Sequence, residues 1–198
     1  MSTLTKTMEM SRREELLGPV GKMFPRYTNV DLYITTACNY RCPHCMAADI
    51  KREEGEQFID KYLVLDALDA LQGIESVHLA GVGEPMLHPD IYEILEMASE
   101  KVSEVRLNTN GYIIPTDEAE ARKFFRSLPR NVNIFLSIDQ FHERQDPLLP
   151  LKSRILRKYS NLFGFESTFS VRVFDKDNEF QKLRGRYPIF RSPYNSFI

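Results

Sequence analysis

From residue 31 onward, short apolar runs alternate with longer stretches in which apolar residues return every three or four positions. The short runs cover residues 31–37, 76–80, 104–108, 133–138 and 168–174. They are rich in Val, Ile, Leu or Phe, the composition of buried parallel strands. The longer stretches predict helices. Residues 58–71 place Leu65, Leu68 and Leu71 on one face, and residues 90–101 do likewise with Ile91, Ile94, Leu95 and Ala98. Pro89 suits the first turn of the second helix. Thr116 can cap a helix over 117–128 whose acidic start favours the positive end of the dipole, and a fourth helix is expected over 151–162.

Alternating strands and helices imply an α/β fold, a parallel sheet with helices packed outside it. An eight-stranded barrel needs about 250 residues, more than the 198 present. Five strands are clear, and a sixth over 186–190 is weak because Pro188 interrupts it. The chain reads as one domain over residues 29–190. Residues 1–28 form a polar lead-in with a short helical pattern at 12–17, and residues 191–198 form a tail without an assigned element.

Composition narrows the function classes. A hydrophobic share of 42% supports a core, and a net charge of −2 excludes a whole-molecule electrostatic binder of nucleic acid or membrane. No run approaches the roughly 18 apolar residues of a membrane span, and residues 1–20 carry no signal-peptide core. Between residues 151 and 191, ten Lys and Arg face four Asp and Glu. That excess fits a solvated surface or a basic wall for an anionic substrate.

The three cysteines, Cys38, Cys42 and Cys45, all fall in one eight-residue window. An odd, clustered set argues against a disulfide scaffold and for a reducing, cytoplasmic setting. The C-x3-C-x2-C spacing supplies three thiolates to one centre and leaves a fourth position open. Open positions mark metal sites that do chemistry, and thiolates suit iron–sulfur clusters or zinc. The alternative is a non-catalytic zinc or iron–sulfur module, with His44 or His88 closing a zinc tetrahedron. Residues 46–57 carry no further Cys or His.

The spacing resembles the signature of the radical S-adenosylmethionine (radical SAM) superfamily, and three further stretches resemble its other motifs in order. Gly81-Val82-Gly83-Glu84-Pro85 is similar to the family's G-G-E-P segment, with Val82 replacing a Gly. Asn108-Thr109-Asn110-Gly111 resembles its T-N-G turn, and Leu136-Ser137-Ile138-Asp139 its S-hydrophobic-D strand end. On the strand assignments above, all four lie at the carboxyl ends of strands, where ligand sites of parallel α/β folds gather.

The resemblance implies a partial (β/α)6 barrel. It implies a [4Fe–4S] cluster held by Cys38, Cys42 and Cys45, whose unligated iron binds S-adenosylmethionine. Reductive cleavage then gives a 5′-deoxyadenosyl radical that abstracts hydrogen from a substrate. His44 fills a place commonly aromatic in the family. Backbone at Gly81 and Gly83, the Glu84 carboxylate, Asn108 and Ser137 are the implied S-adenosylmethionine contacts. An electron donor such as flavodoxin or ferredoxin is implied as a partner. Asp139 and His142 are candidate proton-moving groups beside the rim. Arg172, flanked by two Val residues, would enter the barrel if they face outward, as a partner for a small anionic substrate or for S-adenosylmethionine. His78, inside an apolar strand, reads as a satisfied core residue.

Overall fold

The computed structural model describes residues 28–45, 55–70, 73–164, 167–171 and 186–187. Five parallel strands form one sheet in sequence order: β1 (Asn29–Tyr33), β2 (Ser76–Ala80), β3 (Glu104–Thr109), β4 (Val132–Ile138) and β5 (Ser167–Val171). Between them run α1 (Lys61–Ala70), α2 (Ile91–Lys101), α3 (Glu118–Arg126), the short α4 (Gln140–Gln145) and α5 (Leu149–Phe163). Sequence order across a parallel sheet is the expected outcome of successive right-handed crossovers.

Strand alternation divides the sheet into two faces. Val77, Leu79, Val105, Leu107, Ile134 and Leu136 are at most 1% exposed and join Ile94, Leu95, Phe125, Leu156 and Tyr159 in one core. The opposite face is polar. The register aligns Asp31, His78, Arg106 and Asn133 across four strands, and all four keep some exposure. His78 is therefore no core residue: its Nδ1 lies 3.1 Å from Asp31 Oδ1, and its ring packs 5.9 Å from Phe135. A single polar residue in an apolar run marks the other face of a pleated strand.

Several boundaries differ from the sequence pattern, each for a local reason. β1 ends at Tyr33 because the chain leaves the sheet there. Thr35 bridges Phe58 antiparallel, and Ile59 N–H donates to the Ile34 carbonyl at 3.0 Å. That bridge also delays α1 to Lys61, where Asp60 accepts the Tyr62 N–H at 2.7 Å. Asp117, not Thr116, caps α3, accepting the N–H groups of Ala119 at 2.9 Å and Glu120 at 3.0 Å. The carboxylate reaches two free donors, and one residue of the expected helix becomes its cap. α2 and α5 fall within two residues of expectation. α5 closes on Gly164 in the left-handed conformation at φ 72°. Arg186 and Tyr187 belong to no strand among the described residues, while the rest of the weak sixth strand, the lead-in to residue 27 and the tail lie outside them.

Candidate functional site

The cysteine loop leaves β1 and is tied down at its base. Ala37 N–H donates to Thr35 Oγ1 at 2.9 Å, and Thr35 Oγ1 donates to the Gln57 carbonyl at 2.7 Å. Cys38, Cys42 and Cys45 form no disulfide and are half-buried, and Cys45 N–H donates to the Cys42 carbonyl at 3.1 Å. The glycine-rich turn after β2 docks on this base: Glu84 N–H donates to the Ala37 carbonyl at 2.7 Å. Only a glycine fits beside it. A Cβ on Gly83 would lie 2.3 Å from the Ala37 carbonyl oxygen and 2.7 Å from that of Thr35.

Glu84 binds that turn to the next. The residue is 2% exposed. Its Oε1 accepts from Met86 N–H at 3.1 Å and Thr109 Oγ1 at 2.8 Å, and its Oε2 from Asn110 N–H at 2.6 Å. Burial raises its carboxyl above the usual range, although the three donors oppose the shift. The carboxylate is thus engaged within the protein by three donors. Asn110 carries the connection on to the cysteines. Its Nδ2 donates to Asn39 Oδ1 at 3.0 Å and approaches Cys38 Sγ at 3.9 Å.

The end of β4 supplies the other side. Asp139 is fully buried and caps α4, its Oδ1 accepting from the N–H groups of Phe141 and His142, both at 2.8 Å. Its Oδ2 lies 2.7 Å from His142 Nδ1 and 3.5 Å from His44 Nε2. The far nitrogen of His142 then faces Cys42 Sγ at 4.0 Å. Burial alone would lower the His142 pKa, but Asp139 and Cys42 push it up to about 9. Burial would likewise raise Asp139, yet His142 holds its carboxyl below the usual range. Tyr40 packs 5.6 Å from the His142 ring, and His44 packs 5.0 Å from Phe141. At the end of α4, Gln145 Oε1 accepts from Arg41 N–H at 2.7 Å, and its Nε2 donates to Cys42 Sγ at 3.5 Å.

All four sequence motifs therefore meet at one rim of the sheet. Gly81 is exposed, and Asn108 and Ser137 are half-buried on the polar face. Arg172 lies outside the described residues. His88 is excluded as a fourth metal ligand, because both ring nitrogens are engaged: Nε2 with the Ile59 carbonyl at 2.8 Å, and Nδ1 with Asp90 N–H at 3.1 Å. Among the described Lys and Arg of the basic segment, only Lys152 is buried, donating to Asp146 Oδ2 at 2.7 Å and to the Tyr112 carbonyl. Lys158 pairs with Glu118 on the helical side. The described part of that segment is not a basic wall at the site. The sequence reading passed over Gln145 and Asn110 as individual contacts; the available signal was a Gln three residues after His142, on the same helical face.

Three cysteine thiols that form no disulfide, with no fourth Cys in the sequence, fit an iron–sulfur cluster, which takes each thiolate on a separate iron. Among the described residues, no three His, Cys, Asp or Glu side chains close around a single ion. The fold and this donor set define a cluster-binding α/β enzyme class. The radical SAM superfamily profile matches residues 32–162. The chain belongs to that superfamily, whose cofactors are a [4Fe–4S] cluster and S-adenosylmethionine and whose reactions need a reductant and a substrate.

Among curated relatives, the tungsten-containing aldehyde ferredoxin oxidoreductase cofactor-modifying protein of Pyrococcus furiosus is 31% identical over 88 residues, covering 44% of this chain and 24% of its own length. Mycofactocin maturase MftC of Mycobacterium tuberculosis is 32% identical over 87 residues, covering 43% and 22%. GTP 3′,8-cyclase of Tolumonas auensis is 28% identical over 139 residues, covering 66% and 38%. The chain thus spans well under half the length of these relatives.

Solved structures share the fold. Streptococcus suis SuiB bound to precursor peptide SuiA superposes with a TM-score of 0.57 at 14% identity, covering 93% of this chain and 42% of that one. BtrN in complex with AdoMet and 2-DOIA gives 0.52 at 11% identity, covering 74% and 57%. The architecture is accordingly a partial barrel of the radical SAM type.

Proposed function

We propose that this chain carries a radical SAM active site in which Cys38, Cys42 and Cys45 hold the cluster and S-adenosylmethionine is cleaved reductively to oxidise or rearrange a substrate by hydrogen abstraction. The observation that carries this reading is that the loop of three cysteines, none in a disulfide, meets the turns after β2 and β3 and the end of β4, joined by Glu84 and Asn110. When bound and reduced, the cluster supplies the electron that releases a 5′-deoxyadenosyl radical.

The chain's own residues position these groups. Gly83 allows the second turn to sit against the cysteine loop, and Glu84 locks it to the third. Backbone at exposed Gly81 and half-buried Gly83 is assigned to the ammonium of S-adenosylmethionine, with Ser137 and Asn108 facing its remaining polar groups. Arg172 keeps the role of anion partner on its sequence position alone. Asp139 and His142 are directed at Cys42 and His44, so we assign them to holding the loop rather than to proton transfer at substrate. Cysteines that form no disulfide fit a reducing, cytoplasmic setting, with a flavodoxin or ferredoxin as electron donor.

Anaerobic reconstitution tests the ligand assignment. Iron and sulfide content should fall sharply in Cys38→Ala, Cys42→Ala and Cys45→Ala, and S-adenosylmethionine should alter the electron paramagnetic resonance (EPR) spectrum of the reduced parent protein. Undiminished iron in any of the three variants would remove that cysteine from the ligand set.

A further inference from the structure

A side-chain amide is aimed at one sulfur of the cysteine loop, and its orientation follows from chemistry. The backbone N–H of Arg41 can only donate, and it meets Gln145 Oε1 at 2.7 Å. The nitrogen of the same amide must then face the other way. There it donates to Cys42 Sγ at 3.5 Å and to the Phe141 carbonyl at 3.3 Å. The amide is held by its surroundings as well. Gln145 closes α4, whose first turn is capped by Asp139. The next residue, Asp146, is buried, donates its N–H to the His142 carbonyl at 2.8 Å and pairs with Lys152 at 2.7 Å. Cys38 receives a longer contact, Asn110 Nδ2 at 3.9 Å.

An N–H group stabilises negative charge on the thiolate it meets, and hydrogen bonds to the sulfurs help set the reduction potential of a cluster. We propose that Gln145 is a positioning residue: its oxygen clamps Arg41 in the cysteine loop to α4, and its N–H donates to the Cys42 thiolate, raising the potential of the cluster bound there. This rests on the assignment of Cys42 as a cluster ligand. The added electron makes the cluster more negative, so a donor to its thiolate favours the reduced form.

Two variants separate the two halves of the role. Gln145→Met keeps length and charge while removing both contacts. Gln145→Glu keeps an acceptor for Arg41 and removes the donor. The readouts are amide hydrogen exchange at Arg41 in the full chain and the cluster midpoint in an EPR-monitored titration without S-adenosylmethionine. Arg41 should exchange faster in Gln145→Met and at the parent rate in Gln145→Glu. Both midpoints should move to more negative potential. An unchanged Arg41 rate in Gln145→Met overturns the clamp, and an unchanged midpoint at parent iron content overturns the tuning. If Gln145→Met takes up no iron, the exchange rates and the Gln145→Glu midpoint still decide. The exchange readout needs no cluster, and neither readout needs cleavage of S-adenosylmethionine. Failure of the functional reading is therefore seen separately, as absence of 5′-deoxyadenosine from the parent protein.

Discussion

Gly83 and Gly81 sit two residues apart in the same turn, yet their tolerances should differ sharply. A Cβ at Gly83 meets backbone at 2.3 Å, which no side-chain rotation relieves, while at Gly81 the nearest atom is 3.5 Å away, an ordinary contact. Gly83→Ala should cost about 1–3 kcal/mol, as overpacking does, and Gly81→Ala should fall close to the parent. Anaerobic urea denaturation of both variants measures the difference; equal stability would contradict the docking of this turn on the cysteine loop. At this scale the sequence disclosed which residues matter better than what they touch. Glu84 was legible as part of a motif, but its three donors come from Met86, Thr109 and Asn110. The two longer connections exist only once β2 and β3 lie side by side. His78 was misread because one residue's place in an apolar run does not tell which sheet face is covered.

At the scale of elements, the strands and longer helices followed from periodicity because each buries one face. Ile91, Ile94, Leu95 and Ala98, read as one stripe, are all 3% exposed or less. The short helix α4 escaped that reading. Its six residues, Gln140–Gln145, show no apolar repeat, and its single turn stands on the Asp139 cap and on contacts to the distant cysteine loop. Substitution at Asp139 should expose this dependence. Asp139→Ala removes the cap, worth about 1 kcal/mol, together with the carboxylate facing His142. Asp139→Asn keeps an oxygen for the Phe141 and His142 N–H groups. Thermal denaturation should therefore rank the parent, then Asp139→Asn, then Asp139→Ala; an Asn variant as unstable as the Ala variant would place the loss on the His142 contact instead. β1 illustrates a different limit. The apolar pattern runs on to Ala37, but residues 34–36 pair with 57–59 rather than with β2, and pairing choice is not written in periodicity.

For the molecule as a whole, alternation of strands and helices was enough to place four motifs at one end of a parallel sheet. The rule that ligand sites gather at the carboxyl ends of strands then located the site before any coordinate. What this could not supply was the wiring between motifs, by Glu84, Asn110, Asp139 and Gln145, which joins residues up to 104 positions apart. Nor could charge counting assign the basic segment, since Lys152 is turned inward to Asp146 and Lys158 pairs with Glu118 on the exposed surface. No helix among the described residues is long and apolar enough to cross a membrane. The most direct test of the account is chromatography for 5′-deoxyadenosine after anaerobic reconstitution with iron and sulfide and incubation with dithionite and S-adenosylmethionine. The account predicts product from the parent chain and none from Cys42→Ala. A brown, reducible parent protein that forms no 5′-deoxyadenosine would contradict it.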